Sequence, residues 1–291
     1  MRDLALLAIV FAAIPYIFRR PYYGLLLWVW FSIMNPHRLA YGFAYDFPFA
    51  MVLGVVTLVS VAMHMKQNYP FPVNGATVSL LFFIVWICVS PLFSFHPEGE
   101  MVGWSRAVKI LIMVLVTFYV VGSRSELHWL AWVLAGSVGF FGFKGGIFTL
   151  LHGGGFTVWG PDGSFIADNN SLALAIIMAV PIFRYLQLHS SNRWVRRGCA
   201  LTMLLCVAAS VGSYSRGALL GLAGMGLFMW FKSSNKITLG AISVVVGIVI
   251  FSTMPDSWSE RMNSIGTYQE DDSAMGRINA WWMTWNLALS R

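Results

Sequence analysis

The segment Gly212-Ser213-Tyr214-Ser215-Arg216-Gly217 joins two apolar runs with almost no loop between them. Arg216 must therefore lie within, or at the edge of, whatever medium those runs occupy. A guanidinium at the centre of a lipid-spanning helix costs roughly 2.5–3.5 kcal/mol on insertion scales, so it either snorkels to the interface or faces a polar cavity. For Arg216 alone both readings stay open. Its neighbours favour the cavity: Ser213, Tyr214 and Ser215 add hydroxyls, and Gly217 permits close approach to the backbone. Such a turn could hold an anionic headgroup, because the planar fork of an arginine suits phosphate oxygens.

Other candidates are spread along the chain. Arg106 and Lys109 stand three apart, on one helix face at the start of an apolar run. They either bind an anion or simply anchor a helix, and Glu98 and Glu100 could pair with them. Gly153-Gly154-Gly155 opens a polar stretch holding Asp162, Asp168, Asn169 and Asn170 before the next apolar run. Asp168 or Asn169 is expected to cap the helix that follows, leaving the other side chains to bind sugar hydroxyls or act as a base. Lys144, in Gly142-Phe143-Lys144-Gly145-Gly146, is expected to face a bundle interior or to snorkel past a break at the glycines. The histidines are His37, His64, His96, His128, His152 and His189, with no pair at metal-binding helical spacing. Of these, His37, His96 and His152 are candidate proton acceptors. Cys88, Cys199 and Cys206 lie in apolar runs without metal or disulfide spacing, and no Walker-type glycine loop, HExxH or GxSxG occurs. Neither a cofactor nor a metal is expected, nor ATP as a direct energy source.

The elements that must position these residues follow from composition. Hydrophobic residues make up 58% of the chain and charged residues 11%, against roughly 25% charged in a typical soluble domain. The bilayer is then the expected solvent, and the expected fold is all-α, a polytopic transmembrane helical bundle. About ten runs are candidates to span a core of ~30 Å: 3–18, 21–34, 47–64, 76–92, 106–121, 126–151, 170–188, 198–213, 217–231 and 237–253. The first is expected to be a retained span, since no clear cleavage site follows it. Gly217, Gly221, Gly224 and Gly226 give one helix a small-residue face, expected to serve close helix packing. Residues 1–253 would be the bundle and 254–291 the start of a large exported loop. In that loop, Glu270-Asp271-Asp272-Ser273 offers capping groups. Ile278, Trp281, Trp282, Trp285 and Leu289 form a broad apolar face, expected to lie in the membrane interface. The chain stops at Leu289-Ser290-Arg291 without a closing motif and is expected to be incomplete.

The formal net charge of +7 is unevenly placed. Arg19, Arg20, Lys66, Arg124, Arg184, Arg193, Arg196, Arg197, Lys232 and Lys236 fall on one side of the expected bundle. Arg2, Arg38, Arg106, Lys109, Arg216, Arg261, Arg277 and Arg291 fall on the other. Short loops weigh most in setting orientation, so the first side is expected to be cytoplasmic. The second side keeps more arginine than an exported face should, which hints at an anionic ligand there.

At Ser215-Arg216-Gly217, at Phe165-x-x-Asp168-Asn169-Asn170-x-x-Ala173 and at Ser273-x-x-Gly276-Arg277 with Trp281, the chain resembles the O-antigen ligase and polymerase (Wzy/WaaL-like) family. Its first third is similar to one branch, the O-glycosylation ligases associated with exosortase A systems. That likeness lies in Arg19-Arg20-Pro21-Tyr22, in Met34-Asn35-Pro36-His37-Arg38-Leu39 and in Gly42-Phe43-Ala44-Tyr45-Asp46-Phe47-Pro48. The resemblance implies metal-independent transfer of a glycan from undecaprenyl diphosphate to a hydroxyl of a lipid, protein or second glycan, on the periplasmic side of the bacterial inner membrane. It implies that Arg216 and Arg277 hold the diphosphate, with Arg106, Lys109 and Arg38 as further candidates. Asp168, Asn169, Asn170, Tyr214 and Ser215 are the candidates for glycan or acceptor binding. The family's catalytic histidine is expected to lie beyond residue 291, so none of the six histidines inherits the role. The expected partners are this donor, the acceptor and membrane lipids, with no nucleic acid. A polymerase would use the same site. A transporter for lipid-linked or anionic solutes would instead spread its polar residues through the full bilayer thickness, and a scaffold of an envelope-assembly complex would need no such site.

Overall fold

The computed structural model describes residues 2–64, 71–94, 97–263 and 272–290. Lys66, His96, Glu270, Asp271 and Arg291, singled out above, lie outside the described residues, and nothing is assigned to the side chains of Glu98 and Glu100. Helices dominate, and no strand occurs among the described residues. Each of the ten apolar runs is a helix: α1 (Arg2–Arg19), α2 (Pro21–Met34), α3 (Phe49–Met63), α4 (Gly75–Val89), α5 (Pro97–Val120), α6 (Arg124–Leu151), α7 (Asn169–His189), α8 (Arg193–Val211), α9 (Arg216–Lys232) and α10 (Lys236–Thr253). Two polar-flanked helices follow, α11 (Asp256–Asn263) and α12 (Asp272–Leu289). Five helical stretches are long and apolar enough to cross a membrane: Gly75–Phe93, Met101–Val120, Arg124–Leu151, Asn169–His189 and Arg193–Val211. The shorter α2 and α3 are equally apolar in character.

Packing divides the chain into two compact units, Met1–Ser137 and Val138–Arg291, with the boundary inside α6. In the first unit, Leu6, Val10, Ile17, Phe31, Phe49 and Leu53 form a core shared by α1, α2 and α3. The approach of α2 to α3 is close enough that a Cβ on Gly24 would lie 2.3 Å from Thr57 Oγ1. A second core joins Tyr22, Leu25 and Val29 of α2 to Met113, Val116 and Val120 of α5 and Leu130 of α6. The start of α6 is fixed by a reciprocal cap. Glu126 N donates to Ser123 Oγ at 3.2 Å, and the Glu126 carboxylate accepts from Ser123 N at 3.0 Å and Gly122 N at 3.1 Å. Arg20 reaches the same carboxylate at 3.3 Å.

In the second unit the C-terminal part of α6 packs on α7 and α8 through glycines. A Cβ on Gly142 would lie 2.4 Å from Cys206 Sγ, and one on Gly146 would lie 2.2 Å from the Leu205 carbonyl oxygen. Small residues let membrane helices approach to backbone contact, where dispersion replaces the hydrophobic drive that lipid cannot supply. The expectation of such packing on α9 is corrected. Gly224 and Gly226 face open space among the described residues, and a Cβ on Gly221 would meet Ile177 only at an ordinary 3.4 Å. The close-packed glycine face belongs to α6, whose small residues recur on the side that meets α8. α12 is half-buried at Ala274, Met275 and Ile278 and otherwise exposed, including Trp281, Trp282 and Trp285.

Candidate functional site

The site is built at one end of the second unit, where α6 and α8 end and α7 and α9 begin. α8 stops at Val211 and α9 starts at Arg216, so only Gly212–Ser215 turn the chain. Tyr214 makes that reversal with a left-handed φ of 56°. This region is costly for a side chain with a Cβ and is held only when the surroundings enforce it. Here the enforcement is visible. The Tyr214 hydroxyl donates to the Gly154 carbonyl at 2.7 Å and lies 3.4 Å from Ser257 Oγ. Ser213 Oγ donates to the Ser210 carbonyl at 2.6 Å.

Ser215 is the N-cap of α9, accepting from Ala218 N at 3.2 Å. The same hydroxyl donates to Asn170 Oδ1 at 2.7 Å. Asn170 Nδ2 donates to Asn169 Oδ1 at 3.2 Å, and Asn169 Nδ2 donates to the Ser213 carbonyl at 2.7 Å. These amides and hydroxyls form one closed circuit tying the start of α7 to the start of α9. Ser213 and Ser215 are buried, so their hydrogen bonds are not exchanged with water. Arg216 emerges half-buried as the first residue of α9. It therefore combines its own charge with the positive end of the helix dipole.

Asp168 caps α7, accepting from Asn170 N at 3.0 Å and Ser171 N at 3.1 Å. The expected capping role is thus its own rather than that of Asn169. A hydrogen bond from the Ser171 side chain above all, with those of the two amides, holds its carboxyl below the usual range. It stays ionised near neutral pH, which makes it a weak general base.

The residues that position this circuit were not singled out by sequence. Val158 N donates to the Gly212 carbonyl at 2.9 Å and Gly160 N to the Ala167 carbonyl at 3.0 Å, folding the α6–α7 connection onto the turn. A Cβ on Gly212 would come within 2.1 Å of Thr149 Oγ1, so α6 meets the same turn. Trp258 of α11 is fully buried and donates from Nε1 to the Val211 carbonyl at 3.1 Å. Its signal in the sequence is modest: Pro255-Asp256 opens a short helix just after the last apolar run.

The structure thus gathers Asp168, Asn169, Asn170, Tyr214, Ser215 and Arg216 at one end of one unit. Arg277 lies exposed on α12 in that unit, and Lys144 is exposed on α6, on a residue flanked by the glycines that pack against α8. His152 is exposed, with Nδ1 2.9 Å from the Phe148 carbonyl. A carbonyl only accepts, so Nδ1 carries the proton of that bond. Arg38, Arg106 and Lys109 belong to the first unit. Arg106 and Lys109 are exposed on α5. Arg38 is engaged locally, 3.3 Å from Asp46 Oδ1 and over the Tyr45 ring at 4.5 Å from its centroid. His37 beside it is buried, with Nδ1 lacking a hydrogen-bond partner among the described residues. Burial first, and then Arg38, push its pKa down, so the ring is neutral.

Residues 1–191 match the model of a family of unknown function (DUF5935), and residues 201–291 match the O-Antigen ligase model (Wzy_C). No curated protein and no solved structure was found to match the chain. The second match spans Gly212–Arg216, α9 and α11, and so takes in the turn around which the circuit is built.

Proposed function

Because the chain belongs to the DUF5935 family and carries an O-antigen ligase segment at residues 201–291, we propose that it transfers a glycan from undecaprenyl diphosphate to an acceptor hydroxyl on the periplasmic side of the bacterial inner membrane. The observation that carries this reading is the built turn at Ser213–Arg216. There hydrogen bonds from Asn169 to the Ser213 carbonyl, from Tyr214 to the Gly154 carbonyl and from Ser215 to Asn170 brace the turn from which α9 starts at Arg216.

In the reaction the acceptor oxygen bonds to the anomeric carbon and the bond from that carbon to the diphosphate oxygen breaks. The acceptor proton passes to a base, and the electron pair leaves with undecaprenyl diphosphate. The leaving group gains charge as it departs. Two unit charges ~4 Å apart attract by about 4 kcal/mol at an effective dielectric near 20. A guanidinium already held in place meets that charge without reorganising. Arg216 is assigned this role, with Arg277 as a second clamp. Arg106, Lys109 and Arg38 are weaker candidates, Arg38 because its charge already answers Asp46. Asn170 and the Tyr214 hydroxyl offer hydrogen bonds to sugar or acceptor, whereas Ser215, buried with its hydroxyl engaged by Asn170 and Ala218, holds the turn. α12 lies in the membrane interface, its tryptophans toward lipid, and the bundle of ten spans holds the polyprenyl chain.

The test is in vitro transfer by the purified full-length protein, with undecaprenyl-diphosphate-linked glycan as donor and EDTA present. Transfer is expected to persist in EDTA. Arg216→Ala is expected to lower kcat/KM by about 100-fold or more, the scale of losing one fixed donor to a developing anion. Unchanged transfer by Arg216→Ala would remove the diphosphate clamp from this site.

A further inference from the structure

The connection from α6 to α7 carries a feature that the transfer chemistry does not use. Trp159 is 62% exposed, and Phe156 and Phe165 beside it are 60% and 55% exposed. Exposed aromatics on a pliant loop would signify little, but here the backbone on both sides is pinned. Val158, just before Trp159, is buried and donates to the Gly212 carbonyl. Gly160, just after it, donates to the Ala167 carbonyl, and a Cβ there would lie 1.7 Å from the Ile166 carbonyl oxygen. Ser164 Oγ donates to the Pro161 carbonyl at 2.7 Å, and Ile166 is buried beneath the loop. The backbone is thus folded back so that Trp159 sits between a residue bonded to Gly212, at the start of the turn before Arg216, and a residue bonded to Ala167, just before Asp168.

We infer that this loop is a sugar-binding platform, with Trp159 as its stacking surface for the glycan carried by the lipid donor. The inference rests on the ligase reading above and adds to it how the carbohydrate itself is held. The face of an aromatic ring is electron-rich and attracts the slightly positive C–H hydrogens of a pyranose. The carboxylate and amide groups alongside accept from and donate to its hydroxyls.

Anchoring of these aromatics in lipid headgroups is the competing role, and the charge of the loop opposes it. Residues 152–168 contain Asp162 and Asp168 and no Lys or Arg. The segment thus lacks the Lys and Arg side chains that draw a surface segment to anionic headgroups. A neutral, hydroxyl-rich ligand suits an anionic aromatic loop better. A rigid platform also loses less conformational entropy on binding than a mobile one.

The experiment compares two probes on the purified full-length protein in lipid nanodiscs: synthetic undecaprenyl diphosphate without sugar, and the undecaprenyl-diphosphate-linked glycan pool extracted from the source cells. Trp159→Ala is expected to weaken binding of the glycan-bearing lipid about tenfold and to leave binding of the bare lipid diphosphate within twofold. Trp159→Phe is expected to recover most of the loss. Arg216→Ala is expected to weaken both. Equal weakening of both probes by Trp159→Ala would make Trp159 a lipid contact and overturn the platform. So would no change with either. Failure of the ligase reading shows separately, as Arg216→Ala leaving both probes bound as tightly as in the parent protein, or as no transfer by that parent.

Discussion

Asp168 shows how a single residue divides between fold and function. Its carboxylate is already engaged by two amides of α7, and the Ser171 side chain above all depresses its pKa. In the unfolded chain the group titrates at its ordinary value, so on acidification the unfolded state takes up the proton first. The stability it contributes is complete above the ordinary carboxylate range and is lost as pH falls through the depressed value. Thermal unfolding of the detergent-solubilised protein from about pH 7 to about pH 3 should show this. Asp168→Asn, which keeps a good cap, is expected to flatten that part of the acid-side decline. Asp168→Ala is expected to lose about 1 kcal/mol at neutral pH. An equally steep acid decline in Asp168→Asn would assign the effect elsewhere. The cap was legible in the sequence because Asp and Asn precede an apolar run. The left-handed Tyr214 was not, since no side-chain preference announces a tyrosine in that conformation, and only its distant hydrogen bonds to Gly154 and Ser257 make sense of it.

Among the elements, α6 and α9 differ in a way that composition alone did not reveal. Both are glycine-rich, and expectation put the tight contact on α9. It falls instead on α6, where Gly146 meets the Leu205 backbone, while Gly224 and Gly226 meet nothing described within 4 Å. Glycine spacing reports that a close approach is possible; only the partner helix decides whether it occurs. Gly146→Ala is accordingly expected to cost about 1–3 kcal/mol through overpacking. Gly224→Ala is expected to be neutral or to stabilise by up to about 1 kcal/mol, because a helix prefers alanine. Melting temperatures of the two variants in the same detergent decide this, and a larger loss for Gly224→Ala would reverse the assignment. The helices themselves were the most readable part of the chain, since each apolar run became one. The α6–α7 connection was the least readable. Its order comes from hydrogen bonds to residues some fifty positions away, such as Val158 to Gly212, and no local pattern encodes them.

For the molecule as a whole, the decisive question is which ends of the helices face which side. Within the second unit, α8 separates the α7–α8 connection from the Trp258 contact by its own 19 residues, a rise of about 28 Å. The orientation inferred from the arginines and lysines puts the α11 end outside and the α7–α8 connection, with Arg193, Arg196 and Arg197, inside. In a Cys88→Ser background, an impermeant maleimide applied to intact spheroplasts is expected to label Asp256→Cys. It should label Ser191→Cys only after lysis. Labelling in the opposite order would place the Arg216 turn in the cytoplasm and end the periplasmic reading. The docking of Trp258 on Val211 also bears on how the protein is made. α7, α8 and α9 leave the ribosome well before α11, so during synthesis the nascent helices can be handed to the membrane while the reversal between them still lacks its last brace. A chain halted at residue 253 would contain α1 to α10 and yet miss Ser257 and Trp258, so the final bracing of the turn falls to a late, short helix rather than to the apolar helices themselves.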